Sequence, residues 1–423
     1  MANTINTTSF ISKMTGEFIE QSCPVVQTSY RGNNQYNAPQ GYTSGYTFNV
    51  KVPGNPDVNT GLNLTVQDIE DKVIPVTVDP SKDLANVTYN LNAVESLLNV
   101  YNGKAALTKQ SKKNIVDNYA YPTAVSLSSF VENRAIDELS GNGYLTPIDE
   151  LSKLTKASSF SDVSQAKSFM DILGFPMSSR FAMLNANDYR LIADSLQNAF
   201  NSPLNDNISR NLKIKTSNGG QLSDFGVYSA PLIPIHTVGE QYAINPKFAV
   251  ESISADGTQI TFKTVGTVST RLFKKGDMIW IPSVKLLRRT YHSVTEYGLT
   301  VTVAADAVGQ GAAGKCTVTI SDPLKVTGMH ANVSALPAVD AAAELMPSHR
   351  KNFFYTMSGL ILCSLATDDI IGAENGSYTS DYGLIVKTCV QGAINATSNT
   401  INTSTLNAIR AFPTYIAVVP TLV

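Results

Sequence analysis

The amino-acid sequence predicts an α+β chain with a separate β-rich segment inserted into it. Three observations carry this. Between about residues 120 and 200, apolar residues recur at helical spacing around one short strand. From Phe248 to Ile320 the pattern changes to period two with hairpin turns. The chain is also poor in charge, 16% Asp, Glu, Lys and Arg at 43% hydrophobic residues, against about 25% charged in an ordinary soluble domain. Thr, Ser and Asn fill the difference. That composition is not disorder, which needs low hydrophobicity and high net charge. It suits a β-rich surface covered in an assembly, or work outside a cell. At 423 residues the chain holds about two to four domains of roughly 150 residues, and it can bury a core without disulfides or metals.

Thr8 or Ser9 suits an N-cap, and Phe10, Met14 and Phe18 then repeat at four-residue spacing, predicting a helix over 8–20. Arg31 to Gly45 has no periodicity and reads as loop. Two strands follow. Tyr46, Phe48, Val50 and Val52 share one face before Pro53, and Ile74, Val76 and Val78 share one face before Pro80. Pro75 places the second strand at an edge. The polar residues Gly54 to Lys72 between them carry Asp57, Asp68 and Glu70, with Asp71 just before Lys72. A two-stranded arm of this kind is barely stable alone and needs something to lie upon.

Asn86 to Tyr101, ending at Asn102-Gly103, reads as a helix. From Pro122, suited to a first helical turn, Ala124, Leu127, Val131, Ala135 and Leu139 form a continuous apolar face, closed by Gly141 and Gly143. A third helix begins near Ser161–Asp162 and closes at Gly174-Phe-Pro176. A strand, Phe181 to Leu184, leads to Asn187 or Asp188 as cap, and Tyr189, Ile192, Leu196 and Phe200 form a fourth helical stripe. In the β-rich segment, Asp256-Gly257 sits between alternating strands as a hairpin turn. Met278–Ile281, Leu299–Val303 and Cys316–Ile320 are further strands, predicting a small barrel or sandwich with Trp280 in its core. Helical and mixed patterns resume after Pro347.

Several function classes are excluded or weakened. A net charge of −2 with only short basic runs does not make a phosphate-gripping module. No stretch approaches a membrane span, and the N-terminus lacks the cationic start and apolar middle of a secretion signal, so a chain that does not cross a membrane is expected. Cys23, Cys316, Cys363 and Cys389 share no short spacing, which predicts buried structural thiols in a reducing compartment. Gly309-Gln-Gly-Ala-Ala-Gly314-Lys315-Cys316 matches a phosphate loop except at Cys316, but the alternation from Thr317 to Ile320 predicts a strand where that loop needs a helix. His236, His292, His330 and His349 are scattered, and no nucleophile turn is present. Asp368, Asp369 and Glu374 lack metal-loop spacing and read as loop acids. No catalytic residue, metal site or cofactor is therefore expected.

The order of parts is similar to that of a tailed-bacteriophage major capsid protein of the P-twenty-two type, with the Hong-Kong-ninety-seven capsid fold. Tyr46–Pro53 and Val73–Asp79 resemble the rising and returning strands of that family's extended loop. Phe225–Tyr228 with Leu232–Gly239 resembles the strand entering its insertion domain. Phe273–Pro282 and Val318–Pro323 resemble strands of that domain, and Arg350–Tyr355 the return to the capsid core. Ile409–Val419 departs from the charged family ending.

The resemblance implies an N-terminal arm over 1–39 and an extended hairpin loop over 40–82. It implies a peripheral region with the spine helix over 83–142 and an axial domain over 143–239 and 347–423. An inserted β-barrel domain would occupy 240–346. It implies assembly contacts at Phe10, Met14, Phe18, Asp57, Asp68, Glu70 and Asp71. It further implies pentamers and hexamers of the chain itself in an icosahedral shell, assembled in the bacterial cytoplasm and located in the virion. A scaffolding protein and portal would be partners, and DNA would lie on the inner face without sequence-specific contact. A scaffolded procapsid that expands on packaging is part of the same expectation. The alternatives are a secreted or virion-surface glycan-binding adhesion protein, and a nucleotide hydrolase using Lys315.

Overall fold

The computed structural model describes residues 7–32, 46–56, 71–90, 113–146, 160–196, 220–263, 265–266, 271–309, 314–367, 369–370, 373–391 and 400–422. The chain divides into two compact units. One holds Met1–Val50, Pro75–Ala135 and Ile361–Arg410; the other holds Lys51–Ile74, Ile136–Leu360 and Ala411–Val423.

The first unit pairs helices with a mostly antiparallel sheet. Helix α1 (Thr7–Ser22) and the short α2 (Pro24–Thr28) precede it. The sheet runs in the order Tyr30–Arg31, Leu360–Leu365, Thr400–Ala411, Ile385–Gln391, Glu374–Thr379, with Leu84–Asn90 also on Thr400–Ala411. Helix α1 lies on the strands Glu374–Thr379 and Ile385–Gln391. Its deepest face is not the expected Phe10–Met14–Phe18 stripe, which is half-buried. Thr8, Ile11, Ser12, Thr15, Gly16 and Ile19 are the buried residues instead. Close approach explains the difference. A Cβ on Gly16 would come within 2.5 Å of the Tyr378 ring, and Ser12 Oγ donates to the Gly376 carbonyl at 2.9 Å. Small residues let the helix settle, and the aromatic stripe flanks the contact, with Phe18 edge-on to Tyr121 at 5.5 Å.

The segment expected to begin a helix at Asn86 is a strand over its described part, Leu84–Asn90, registered antiparallel on Thr400–Leu406. Ala85 is buried and Val87 and Tyr89 are half-buried, while Asn86, Thr88 and Asn90 face outward. Period-two alternation with β-branched and aromatic residues favours a strand once a partner is present. The remainder of that expected helix, from residue 91, lies outside the described residues. Between the arm and this strand, α3 (Pro80–Asp83) is capped by Asp79, which accepts from Ser81 N at 3.0 Å.

Helix α4 (Tyr121–Ser140) is the long apolar-faced helix that the sequence predicts, entered through a π turn over Val116–Ala120. Ala124, Leu127, Val131, Ala135 and Leu139 are all buried. Arg134 reaches the buried carboxylate of Asp83 at 3.1 Å. The division between the units falls within this helix, after Ala135.

The second unit contains a seven-stranded sheet in the order Tyr144–Leu145, Ile416–Leu422, His349–Thr356, Arg180–Asn185, Phe225–Ala230, Gly220–Leu222, with Ile235–His236 also paired to His349–Thr356. Helices α5 (Phe160–Ile172) and α6 (Ala186–Leu196) belong to this unit. Helix α5 ends at Gly174, whose φ of +74° suits glycine. Helix α6 starts earlier than its expected cap: Asn185, not Asn187 or Asp188, accepts the Asn187 N–H at 3.0 Å. The expected helical patterns after Pro347 are absent among the described residues. The described residues there form six strands and two short 3₁₀ turns. His349–Thr356 is buried nearly throughout although half of it is polar (His349, Arg350, Lys351, Asn352), so burial on both faces leaves no helical or alternating apolar signature to read.

Phe354 sits between Ala417 and Ala182 in register and meets the Phe225 ring edge-on at 5.0 Å. It is 1% exposed. Phe354→Ala is expected to cost about 3–5 kcal/mol, the lost burial plus the cavity left behind, measured by urea unfolding of the unassembled subunit.

The six strands between Lys247 and Leu345 form a second sheet in the order Val294–Thr302, Met278–Leu287, Ala342–Leu345, Lys247–Ile253, Gln259–Lys263, Lys315–Thr319. Its ends meet. Val303 bridges Ile320, and Ser321 N donates to Thr302 O at 2.9 Å, so the sheet closes as a barrel and leaves those edges paired. The Asp256-Gly257 turn is where the sequence places it. Gly257 has φ +71°, and a Cβ there would meet Leu324 O at 2.3 Å. Asp256 accepts from Ser254 and Thr258, bonds to the charged form that bring its pKa down to about 2. Trp280 is not core. It is half-buried, its indole lying over Gly298, while Ile279 and Ile281 point inward and are 0% exposed.

Candidate functional site

The two arm strands, Thr47–Pro53 and Asp71–Thr77, pair with each other and with no other described strand. Phe48, Val50, Val76 and Val78 are buried on one face; Asn49, Lys51, Val73, Pro75 and Thr77 are exposed. This is the alternation the sequence predicts, with Pro75 at an edge. Asp57, Asp68 and Glu70 lie outside the described residues. Asp71 opens the returning strand. Phe10, Met14 and Phe18 lie on α1, so the described assembly candidates occupy separate elements and form no single pocket.

Two buried polar clusters in the second unit were not foreseen. The first centres on Asp322. Its Oδ1 accepts from Lys72 Nζ at 2.8 Å, and its Oδ2 from Tyr144 OH at 2.6 Å and Thr414 Oγ1 at 3.1 Å. Burial alone would raise this carboxyl, but the Lys72 ammonium, the Arg289 guanidinium and the hydrogen bonds bring its pKa down to about 2. Burial and the same carboxylate hold the Tyr144 phenol well above its ordinary value. Arg289 lies over the rings of Phe175 and Tyr415 at 5.3 and 5.4 Å. The small cavity beside Lys72, Arg289 and Asp322 has space for about one water, roughly 30 Å³.

The second cluster joins His236, Asp277, His349 and Lys351. Asp277 is buried and accepts from His236 Nε2 at 2.7 Å, Lys274 N at 2.8 Å and Gly239 N at 3.1 Å. Because its partner is the Pro347 carbonyl, His349 Nδ1 must donate, at 2.7 Å. Its Nε2 is buried without a partner. Burial first, then the neighbouring Lys351, holds the His349 pKa well below 6.5. Lys351 is 1% exposed. It donates to Ser140 O, at the C-terminal end of α4, at 2.6 Å and to Gly276 O at 2.5 Å. Burial lowers its pKa to about 7, although Asp277 opposes the shift.

The four cysteines are free and buried, and burial pushes Cys23 and Cys363 up to about 12 and Cys316 to about 11, which leaves unreactive thiols. Lys315 opens a strand rather than a helix and pairs with Glu251, so the phosphate-loop reading fails on geometry. Among the described residues no three His, Cys, Asp or Glu groups converge as metal ligands. Asp369 pairs with Lys387 at 2.7 Å and Glu374 is exposed; Asp368 lies outside the described residues. No helix among the described residues is long and apolar enough to cross a membrane.

Comparison with known proteins supplies the class. A family model of virion coat proteins matches residues 77–413, most of the chain, and defines a structural major capsid protein of a tailed phage. The chain belongs to the family described as P22 coat protein, gene protein 5. It shares that class's mixed α+β fold, assembles with itself into a shell, and is located in the virion. The glycan-binding alternative is not favoured.

A solved structure from Mycobacterium phage Che8 aligns over 94% of this chain and 90% of its own, at 10% identity and a TM-score of 0.39. One from Mycobacterium phage Ogopogo aligns over 95% and 92%, at 10% identity and a TM-score of 0.31. The CUS-3 coat protein I-domain aligns over 24% of this chain and 94% of its own, at 22% identity and a TM-score of 0.17. No curated protein matches the chain. The assignment rests on the family model.

Proposed function

We propose that the chain builds a closed icosahedral shell of pentamers and hexamers around double-stranded DNA, with the hairpin over 40–82 reaching between subunits. The paired arm strands, which join no other described strand, carry this reading. A ribbon of two strands is marginal alone and gains stability by lying on something else. In a closed shell, modest contacts of that kind multiply through avidity. Residues 1–39 would serve as the N-terminal arm, 83–142 as the peripheral region with the spine helix, and 143–239 with 347–423 as the axial domain. DNA would lie inside without sequence-specific contact, in keeping with the net charge of −2. The chain acts without enzymatic chemistry. A scaffolding protein and a portal take part in the cytoplasm of the host, and the procapsid expands on packaging. Co-expression with the candidate scaffolding protein is expected to give uniform closed particles whose averaged images resolve five- and six-fold clusters. Irregular aggregates, or no particles, from the co-expression would contradict it.

Residues 240–346 act as an inserted domain in this reading. The closed barrel between Lys247 and Leu345 supports that reading. Expressed alone, 240–346 is expected to show a β-type circular dichroism spectrum. Its thermal midpoint should be lowered, because Asp322 loses Lys72, Tyr144 and Thr414 and Asp277 loses His236. A random-coil spectrum would overturn the boundary.

A further inference from the structure

On the returning arm strand, Lys72 alternates in phase with Ile74 and Val76, the face that carries the arm's apolar residues. A lysine there needs an anionic partner, and Asp322 supplies it at 2.8 Å with 26% of the lysine side chain and 8% of the aspartate side chain exposed. The ammonium also lies 5.1 Å from the centre of the Phe412 ring. On the outgoing side, just past Pro53, Asn55 Nδ2 donates to the Arg289 carbonyl at 3.3 Å. Both stems of the segment 57–70 are therefore tied to the same unit by directional polar bonds. A two-stranded ribbon on its own is only marginally stable.

We propose that Lys72 is a positioning residue for shell assembly. Its ion pair with Asp322, opposite the Asn55–Arg289 bond, fixes the two arm strands at Asn55 and Lys72 on their own subunit before a neighbouring copy of the chain arrives. The inference rests on the intersubunit role proposed for the arm. It adds that the arm is anchored by its own subunit first. Asp322 suits the task because Tyr144 and Thr414 hold its other oxygen, so the carboxylate stays oriented whether or not the arm is bound.

The test uses the full chain with Lys72→Met, Lys72→Arg and Asn55→Ala, beside a deletion of 57–70. Hydrogen exchange of the unassembled subunit is read over 46–56 and 71–77, and particles are counted by negative-stain microscopy. Lys72→Met is expected to speed amide exchange in both arm strands roughly tenfold and to affect barrel peptides remote from Asp322 much less. It should also convert most uniform shells to open or irregular ones. Lys72→Arg should restore both readouts, and Asn55→Ala should loosen the outgoing strand without touching the Asp322 cluster. Unchanged exchange and normal shells from Lys72→Met would overturn the proposal, as would faster assembly or equal loosening of the barrel. If Lys72→Met does not fold, unchanged arm exchange in Asn55→Ala would overturn it. Normal shells from the 57–70 deletion would instead sink the arm's intersubunit role, a separate failure.

Discussion

A chain lacking Gly54–Lys72 is expected to fold and to form no closed shells. The loss of assembly should be nearly complete, because one missing contact per subunit is repeated at every equivalent position of a closed lattice. Folding should survive, since the buried arm residues Phe48, Val50, Val76 and Val78 remain. The deletion removes the Lys72 ammonium from Asp322, leaving a buried carboxylate that retains two hydroxyl donors and lowering subunit stability by about 1–3 kcal/mol. Deleting only 57–70 keeps Lys72 and should give the same assembly defect with the thermal midpoint of the full chain. Size-exclusion chromatography, circular dichroism and negative-stain images of both deletions separate the effects. Normal shells from either would count against the arm.

The subunit should also become more stable between pH 7 and pH 9, through Lys351. Its folded pKa of about 7 lies below the ordinary lysine value of 10.5, so between them the unfolded chain binds the extra proton and stability rises with pH. From pH 7 to pH 9 the gain is about 2 kcal/mol. Two carbonyls, Ser140 O and Gly276 O, match the two N–H groups of a neutral amine. Above about pH 9 the buried thiols act in the opposite sense. Cys23, Cys316 and Cys363 ionise in the unfolded chain before the folded one, so stability should pass through a maximum near there. Lys351→Met should flatten the rise from pH 7 to 9 and be less stable than the natural chain at pH 9 by about 1–3 kcal/mol, because both carbonyls lose their donor. Urea unfolding of the unassembled subunit at the two pH values measures this. Equal slopes for the two chains would refute it.

What was legible in the sequence follows the range over which its signals act. Helix α4 declares itself through Ala124, Leu127, Val131, Ala135 and Leu139, and the arm strands through strict alternation. The Asp256-Gly257 hairpin needs only its own turn residues. All of these are local patterns. The helix expected from Asn86 fails over Asn86–Asn90 because that strand's character depends on Thr400–Ser404, a partner more than 300 positions away. The α1 face was misread because Ser12, Thr15 and Gly16 are buried for closeness to Gly376 and Tyr378 rather than for hydrophobicity. Trp280 is expected in the core, but alternation along Met278–Ile281 gives the inner face to Ile279 and Ile281 on either side of it. The polar clusters were invisible for the same reason of distance. Lys72, Tyr144, Asp322 and Thr414 share no spacing, and nothing local marks Lys351 as buried.

The most direct test of the account is negative-stain electron microscopy of the purified chain, alone and with its candidate scaffolding protein. Closed uniform particles, or sheets and spirals of regular hexagonal texture, are the predicted result. Discrete monomers or trimers under every condition tried would contradict a shell-forming coat protein.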